Sequence, residues 1–292
     1  MSISDARAAF RKLHDSGCFV IPNPWDIGTA RYLRHCGFKA LATTSAGAAF
    51  SMGLPDSDGA VTRDMALAHI RTIVEATELP VNADFESGYA HEPEAVAESV
   101  RLCVETGVAG LSIEDATGDK AKPLYDLDAA IARVRAARLV IDQSGADVML
   151  VGRAECFLVG RPDFDETNAR LTAYASAGAD CLYAPGIRTA EQIAAVVQAV
   201  APKPVNVLMS AATGLTVGDL ARLGVRRISV GSALARVAWG GFMRAAKEIA
   251  TEGRFDAFAT AAPMAEINGF FRDDLKRRAA ALVDAGRPNT GG

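Results

Sequence analysis

Two carboxylates stand two residues apart in the run Val81-Asn82-Ala83-Asp84-Phe85-Glu86-Ser87-Gly88-Tyr89. The β-branched start and the glycine turn predict a buried strand, and alternate residues of a strand point to the same side. We therefore expect Asp84 and Glu86 to project together at the end of this strand. Two like charges this close destabilise each other unless a cation or a proton lies between them. The pair suggests a site for a hard metal ion.

Polar and charged residues recur at the ends of the other apolar runs. In chain order these are Ser45, Ala46, Gly47 and Asp56 after the second run, Glu114 and Asp115 after the fourth, Arg153 and Glu155 after the fifth, and Asn206 in the seventh. Together with Asp84 and Glu86, carboxylates dominate one half of this set, and one arginine faces them. Mg²⁺ prefers oxygen ligands and is usually held by one or two carboxylates, several waters and the substrate, so the set favours magnesium.

Composition narrows the class of protein. The chain has 292 residues, half of them hydrophobic, and a net charge of −4 with both signs interspersed; without a basic block, we expect neither nucleic acid nor a membrane as a partner. Five dispersed cysteines without CxxC spacing are typical of reduced thiols, and no signal-peptide pattern or membrane-spanning run is present, so we expect a cytoplasmic protein. The histidines lie in predicted helices or in a loop, which argues against a zinc site.

Short apolar runs alternate with amphipathic stretches, which predicts repeated βα units and a parallel sheet. We expect strands at residues 18–22, 40–44, 81–84, 110–114, 148–153, 181–184, 205–208 and 227–230. We expect helices at residues 27–35, 62–77, 93–106, 127–142, 164–177, 189–199 and 217–223. Eight such units predict an α/β fold of the (β/α)₈ TIM type, with its active site at the C-terminal ends of the strands. A doubly wound sheet would need a glycine-rich turn after the first strand, where the chain reads Pro22-Asn23-Pro24-Trp25-Asp26.

A surplus of predicted helix follows the eighth strand. We interpret residues 1–292 as a single barrel domain with extra C-terminal helices, an extension over about residues 240–285. The extension is longer than one barrel helix needs. We therefore expect it to pack against a neighbouring subunit in a homo-oligomer, either a dimer or a tetramer.

Five motifs together resemble the isocitrate lyase/phosphoenolpyruvate mutase superfamily. They are Thr44-Ser45-Ala46-Gly47, Gly53-Leu54-Pro55-Asp56, Asp84-Phe85-Glu86-Ser87-Gly88-Tyr89, Ile113-Glu114-Asp115 and Gly152-Arg153-Ala154-Glu155, and the resemblance spans roughly residues 19–234. It implies a barrel that depends on Mg²⁺, with Mn²⁺ as the alternative ion. It also implies cleavage or formation of C–C or P–C bonds next to an α-keto or α-hydroxy carboxylate, and a last helix that is swapped between subunits.

The resemblance implies a role for each matching acid. Glu86 would match the acid in most direct contact with the metal. Asp56, Asp84 and Glu114 would match acids that hold the metal largely through water.

The resemblance also implies substrate contacts. Ser45, Ala46 and Gly47 would match the segment whose hydroxyl and backbone N–H groups bind the substrate carboxylate. Arg153 would pair with the substrate, and Asn206 would be a further polar contact.

The loop after the fourth strand departs from the superfamily pattern. The lyases carry Lys-x-Cys-Gly-His there, with the cysteine as acid/base, and the mutases carry lysine, asparagine and serine. This chain reads Ala116-Thr117-Gly118-Asp119-Lys120-Ala121-Lys122-Pro123-Leu124, so Lys120 fits the lysine, Lys122 replaces the cysteine and no Gly-His follows. Neither chemistry carries over intact. The candidate catalytic residues are Arg153, Lys120 and Glu114.

The expected function is that of a Mg²⁺-dependent lyase in carboxylic acid metabolism. It would cleave a small α-keto or α-hydroxy dicarboxylate, by retro-aldol reaction or by decarboxylation, to a pyruvate-like product. Two alternatives stay open: P–C bond chemistry of the phosphonopyruvate hydrolase or phosphoenolpyruvate mutase type, and a non-catalytic barrel that binds keto acids. A Schiff-base aldolase is excluded, since Lys39 and Lys203 stand at strand starts and no predicted strand end carries a lysine.

Overall fold

The fold is an eight-stranded parallel sheet that closes on itself almost completely. The computed structural model describes residues 1–56 and 59–285. The strands are β1 (Phe19–Ile21), β2 (Leu41–Ala42), β3 (Val81–Asp84), β4 (Gly110–Glu114), β5 (Met149–Arg153), β6 (Cys181–Tyr183), β7 (Val205–Leu208) and β8 (Arg227–Ser229). Their order is β1-β8-β7-β6-β5-β4-β3-β2, with parallel pairing throughout.

The seam between β1 and β2 is joined by single hydrogen bonds rather than by a ladder. The Ala42 N–H donates to the Pro22 carbonyl at 3.0 Å, and the Asn23 side-chain amide donates to the Thr43 carbonyl at 2.8 Å. Pro22 follows β1 directly and has no N–H to donate, which shortens the pairing at this edge. The prediction of a (β/α)₈ TIM-type fold is confirmed.

Helices cover the outside of the sheet. Their bounds are α1 (Ile3–Leu13), α2 (Ile27–His35), α3 (Ser45–Ser51), α4 (Arg63–Ala76), α5 (Pro93–Glu105), α6 (Leu127–Gln143), α7 (Phe164–Ser176), α8 (Ala190–Val200) and α9 (Val217–Arg222). Side-chain caps determine several starts: Asp26 accepts from the Thr29 N–H, and Thr62 accepts from the Met65 N–H. The main core lies between these helices and the strands.

Two of these helices were not predicted. The N-terminal helix α1 inserts Phe10, which is fully buried, into a cluster with Ile21 and Met149. Gly110 accommodates this ring, since a Cβ there would lie 2.8 Å from Phe10 Cε1 and 2.7 Å from Asn82 Oδ1. The second, α3, begins at Ser45, within the motif Thr44-Ser45-Ala46-Gly47.

The chain divides into two compact units, Met1–Arg236 and Val237–Gly292. The second contains most of α10 (Ala233–Glu252), a 3₁₀ helix (Asp256–Thr260) and α11 (Met264–Ala285), so the predicted extra C-terminal helices are confirmed. Large apolar side chains are exposed along it: Val237, Trp239, Phe242, Met243, Phe255, Phe258, Met264, Ile267, Phe271 and Leu275. Helix swapping and the single-domain interpretation stay predictions, and residues 57, 58 and 286–292 of that domain lie outside the described residues.

Within residues 1–56 and 59–285, none of the helices has the length and apolar character that crossing a bilayer requires.

Candidate active site

The predicted acids and arginine meet at the C-terminal ends of β3, β4 and β5. Asp84, Glu114 and Arg153 are the last residues of these strands. Arg153 Nη1 donates to Asp84 Oδ1 at 3.0 Å and lies 3.2 Å from Glu114 Oε2. Its Nε pairs with Glu155 Oε1. One guanidinium therefore holds three carboxylates together.

Burial and crowding decide the protonation of this cluster. Burial opposes the charge on Arg153, but Glu114 and then Glu155 outweigh it and hold the guanidinium pKa well above its ordinary value. Burial raises the pKa of Glu114 well above its usual range, although Arg153 opposes the rise. Burial also raises the pKa of Glu155. The cluster thus holds more carboxyl groups than one guanidinium can neutralise, and burial favours a proton or a cation on the surplus groups.

Glu86 reaches the cluster from a turn after the strand. β3 ends at Asp84, and Glu86 has a backbone φ of 46°, which is uncommon for a residue other than glycine. The Tyr89 hydroxyl donates to Glu86 Oε1 at 3.0 Å. Burial, and then the charge of Asp84, raise the pKa of Glu86 to about 7. The turn, rather than strand alternation, brings Glu86 near Asp84.

Ser45 supports Asp84 directly. Its backbone N–H and its hydroxyl both donate to Asp84 Oδ2, at 3.1 and 3.2 Å. Thr44 caps helix α3 by accepting from the Gly47 N–H, and a Cβ on Gly47 would lie 2.6 Å from Thr44 Cγ2. The motif Thr44-Ser45-Ala46-Gly47 therefore forms a helix start, and the first N–H of this helix binds a carboxylate of the site.

A cavity of about 250 Å³ opens beside these residues. Its acidic wall includes Asp56, Asp84 and Arg153, with Ser45 and Ala46 next to them. Burial, and then Asp84, raise the pKa of Asp56. Of the predicted residues, Gly47, Glu86, Glu114 and Lys120 are not on the cavity wall.

The opposite wall and the floor are built from amides, hydroxyls and a second arginine. The predicted residue Asn206 is fully buried; its Nδ2 donates to Ser229 Oγ at 2.9 Å, and its Oδ1 accepts from Arg227 Nε at 2.9 Å. Arg227 Nη1 also donates to Asn82 Oδ1 at 3.2 Å. Sequence reasoning missed Arg227. A signal was present, because a charged residue within a short predicted strand of a buried sheet needs polar partners in the interior.

Lys120 lies outside the cavity, on the loop formed by residues 116–124. Ala116 and Leu124 pair across the base of this loop, and the Thr117 N–H donates to the Pro123 carbonyl at 3.0 Å. Lys120 is exposed at the tip. Lys122 pairs with the exposed Asp126, as a surface charge would. The structure does not bring Lys120 together with the other predicted residues.

Asp115 supports the acidic wall from behind. Its Oδ1 accepts from the Glu155 N–H at 2.8 Å. Its Oδ2 accepts from the Tyr174 hydroxyl at 2.6 Å and from Arg170 Nη1 at 3.1 Å. Because all of these groups are buried, Asp115 fixes the start of the segment that follows β5.

Oxygen donors suited to Mg²⁺ are grouped around Asp84, although they do not form a closed cage. In the part of the chain that the structure describes, no three His, Cys, Asp or Glu side chains converge closely enough to ligate one ion. Mg²⁺ keeps several waters and needs only one or two protein carboxylates. Asp84 lies near enough to raise the pKa of both Asp56 and Glu86. The excess of carboxylates over cations fits a hard divalent ion.

The fold of this chain recurs in known proteins of similar sequence. The sequence profile of the phosphoenolpyruvate phosphomutase family matches residues 10–250. The uncharacterised protein Rv1998c of Mycobacterium tuberculosis (strain H37Rv) is 35% identical over 227 residues, which cover 77% of this chain and 82% of that one. The oxaloacetate decarboxylase of Paraburkholderia xenovorans (strain LB400) is 28% identical over 235 residues, 78% of this chain and 75% of that one. A solved structure of a proposed lyase/mutase from Burkholderia cenocepacia J2315 shares 50% identity, has a TM-score of 0.87, and covers 92% of this chain and 96% of its own.

The chain therefore belongs to the phosphoenolpyruvate phosphomutase family. The predicted membership of the isocitrate lyase/phosphoenolpyruvate mutase superfamily is confirmed, and so is the prediction of an enzyme of that lyase type. The individual site roles stay predictions.

Proposed function

We propose that this protein is a Mg²⁺-dependent carbon–carbon lyase that acts on a small α-keto or α-hydroxy dicarboxylate and releases a pyruvate-like product. The observation that supports this most is the position of Arg153 beside Asp84 on the wall of a cavity of about 250 Å³. One small space then offers a cation for a substrate carboxylate and oxygen ligands for a metal. Pockets for drug-sized ligands begin at about 300 Å³, so the cavity suits a small acid.

The carboxylates of the acidic wall would hold the ion. Glu86 would contact it most directly, and Asp56, Asp84 and Glu114 would contribute largely through water. When bound, Mg²⁺ supplies a Lewis acid that stabilises negative charge developing on a substrate oxygen. Members of this superfamily depend on a divalent metal, which supports the assignment.

Arg153 binds and orients the substrate carboxylate. Its guanidinium carbon lies 5.1 Å from the centre of the Tyr183 ring, which restricts the guanidinium from one side. Burial raises the pKa of Tyr183 to about 12. The Tyr183 hydroxyl therefore keeps its proton at neutral pH and is a hydrogen-bond donor at the cavity wall.

Among the described residues, the cavity wall contains no cysteine, histidine or lysine. Retro-aldol cleavage needs a base to remove a hydroxyl proton, whereas decarboxylation of a 3-carboxy-2-oxo acid does not. On loss of CO₂, the electron pair of the broken C–C bond moves toward the keto group, and the resulting enolate takes one proton. Similarity to an oxaloacetate decarboxylase supports this preference. Lys120 would supply the proton only if the loop of residues 116–124 closed over the site.

A substrate panel tests the proposal. The full chain is incubated with Mg²⁺ and with 2-oxo and 2-hydroxy dicarboxylates of four to six carbons, and pyruvate formation is followed; chelation by EDTA is the control. We expect turnover that EDTA abolishes and that Glu86→Gln lowers. Phosphate release from phosphonopyruvate would favour P–C chemistry instead, and tight oxalate binding without turnover would favour the non-catalytic binder.

Lys120→Ala tests the loop, with Lys122→Ala as the matched control two residues away. If Lys120 supplies the proton, its loss should lower turnover by about 100-fold or more, the usual range for general acid catalysis. Lys122→Ala should stay within about twofold, because an exposed ion pair contributes little. Equal activities of the two variants would remove Lys120 from the mechanism.

The exposed apolar side chains of α10 and α11 also favour a homo-oligomer. An apolar surface of this kind is typical of an interface between subunits. Sedimentation equilibrium of the full chain should give a mass of two or four copies. Phe242 is 63% exposed, and Phe242→Glu should lower the measured mass. A monomeric wild-type chain would contradict this prediction.

A further inference from the structure

We propose that Arg227, with Asn82 and Asn206, forms a second anion-binding subsite at the floor of the cavity, which receives the distal carboxylate of a dicarboxylate substrate. The inference rests on the proposed function and assigns the place where the second carboxylate of that dicarboxylate binds, away from the one at Arg153.

The first observation is the burial of Arg227. Only 3% of its surface is exposed, yet it lies on the cavity wall. It begins β8 and reaches across the barrel, since Nε donates to Asn206 on β7 and Nη1 donates to Asn82 on β3. Its guanidinium is therefore fixed beneath the acidic wall and in contact with the cavity that Asp84 and Arg153 also line.

The second observation is the charge around it. Within residues 1–56 and 59–236, no carboxylate forms an ion pair with Arg227, and its hydrogen bonds to protein are the two to amide oxygens. A guanidinium has five N–H donors, so three lack a protein acceptor in the described residues. A buried charge without a counter-ion is costly, and an anion in the cavity would neutralise it.

The third observation is the distance between the residue that Arg153 contacts and the residue that Arg227 contacts. Arg153 donates to Asp84, and Arg227 donates to Asn82. These two partners are alternate residues of β3 and so stand on one face, about 7 Å apart along the strand. A diacid whose carboxylates are separated by one or more carbons can extend from Arg153 toward Arg227. In oxalate the two carboxyl carbons are bonded directly. Oxalate is therefore too short to reach Arg227 from the proposed metal site.

The test compares oxalate with malate, a non-keto diacid with four carbons, by titration calorimetry on the Mg²⁺-loaded full chain. Arg227→Gln should weaken malate binding by about 10- to 100-fold, as loss of a charge-assisted hydrogen bond predicts. Oxalate binding should change by less than about threefold. The matched control is Arg226→Gln, since Arg226 is the preceding arginine and bonds the Gly17 carbonyl away from the cavity.

A second variant keeps the test decisive if Arg227→Gln does not fold. Asn82→Asp puts a carboxylate within hydrogen-bond distance of Arg227 and supplies the missing counter-ion. Malate affinity should fall by about tenfold while thermal stability is kept or raised. If both variants bind malate as the wild type does while oxalate still binds, Arg227 is a structural residue and the subsite is refuted. If the wild type binds neither acid in the presence of Mg²⁺, the proposed function and the subsite are both refuted.

Discussion

The two sides of the cavity each present one buried arginine, and the two arginines have opposite surroundings. Arg153 stands among Asp84, Glu114 and Glu155, whereas Arg227 is bonded to two amides. On the acidic side, carboxyl groups outnumber the one guanidinium, which suits a cation. On the amide side, a positive charge has no carboxylate partner, which suits an anion. A dicarboxylate bound together with a divalent ion would satisfy both sides at once.

The largest expected difference between the two sides is in stability. Arg153→Met should lower the free energy of unfolding by about 3–5 kcal/mol, because it leaves buried carboxylates unpaired. Arg227→Met should cost less than half as much, since the amides left behind carry no net charge. Urea denaturation in EDTA measures both losses. Equal losses would contradict the comparison, and added Mg²⁺ should restore more stability to Arg153→Met than to the wild type.

A second expected difference is in the metal requirement. Asp84→Asn should lower turnover by about 100-fold or more and raise the Mg²⁺ concentration needed for half-maximal rate, because the central carboxylate is lost. Asn206→Ala, on the amide side, should raise the KM for the diacid and leave the Mg²⁺ requirement unchanged. Rates measured across a Mg²⁺ titration separate the two outcomes. A shifted Mg²⁺ requirement in Asn206→Ala would mean that the two sides are not independent.

The burial of His14 close to Arg227 should be visible in the acid stability of the protein. Burial, and then the charge of Arg227, lower the pKa of His14 to about 3, and its Nδ1 lies 2.8 Å from the Phe10 carbonyl oxygen. In the unfolded chain His14 titrates near pH 6.5. The unfolded state therefore binds more protons between these values, so stability falls as pH falls below about 6.5, by at most about 1.4 kcal/mol per pH unit.

His14→Gln removes this proton uptake. Unfolding free energies measured between about pH 5 and pH 6.5 should show a shallower slope for His14→Gln than for the wild type. Arg227→Gln should leave the slope close to that of the wild type, since burial is the larger cause and keeps the His14 pKa below this pH range. Identical slopes for His14→Gln and the wild type would show that His14 titrates normally in the folded state.

The smallest expected effect is behind the acidic wall. Tyr174→Phe removes the hydroxyl that donates to Asp115 at 2.6 Å and should cost about 1–2 kcal/mol of unfolding free energy. Arg170 still holds the same carboxylate oxygen, which limits the loss. If Tyr174→Phe cost as much as Arg153→Met, the hydrogen bonds to Asp115 behind the acidic wall would dominate the stability of the wall. The charge balance of the wall would then be the smaller contribution.

The barrel and the acidic wall could be predicted because both depend on local patterns. Alternating apolar runs and amphipathic stretches determine eight βα units, and the parallel topology brings their C-terminal ends to one rim. Asp84, Glu114 and Arg153 were predictable for that reason, since each ends a strand. The predicted strand at 81–84 matches β3 in the structure. The family assignment confirms the enzyme class that these motifs suggested.

What the sequence alone determined about this protein is its fold class, its superfamily and the identity of the acids at the rim. Tertiary structure decided how those acids are neutralised, that Glu86 arrives through a turn with φ of 46°, that Ser45 begins a helix, and that Arg227 has amides rather than acids around it. The physical reason is that periodicity and strand ends are properties of neighbouring residues. Charge balance in a closed barrel instead depends on side chains such as Asn82, Asn206 and Arg227, which lie far apart in the chain and meet only after the strands have paired.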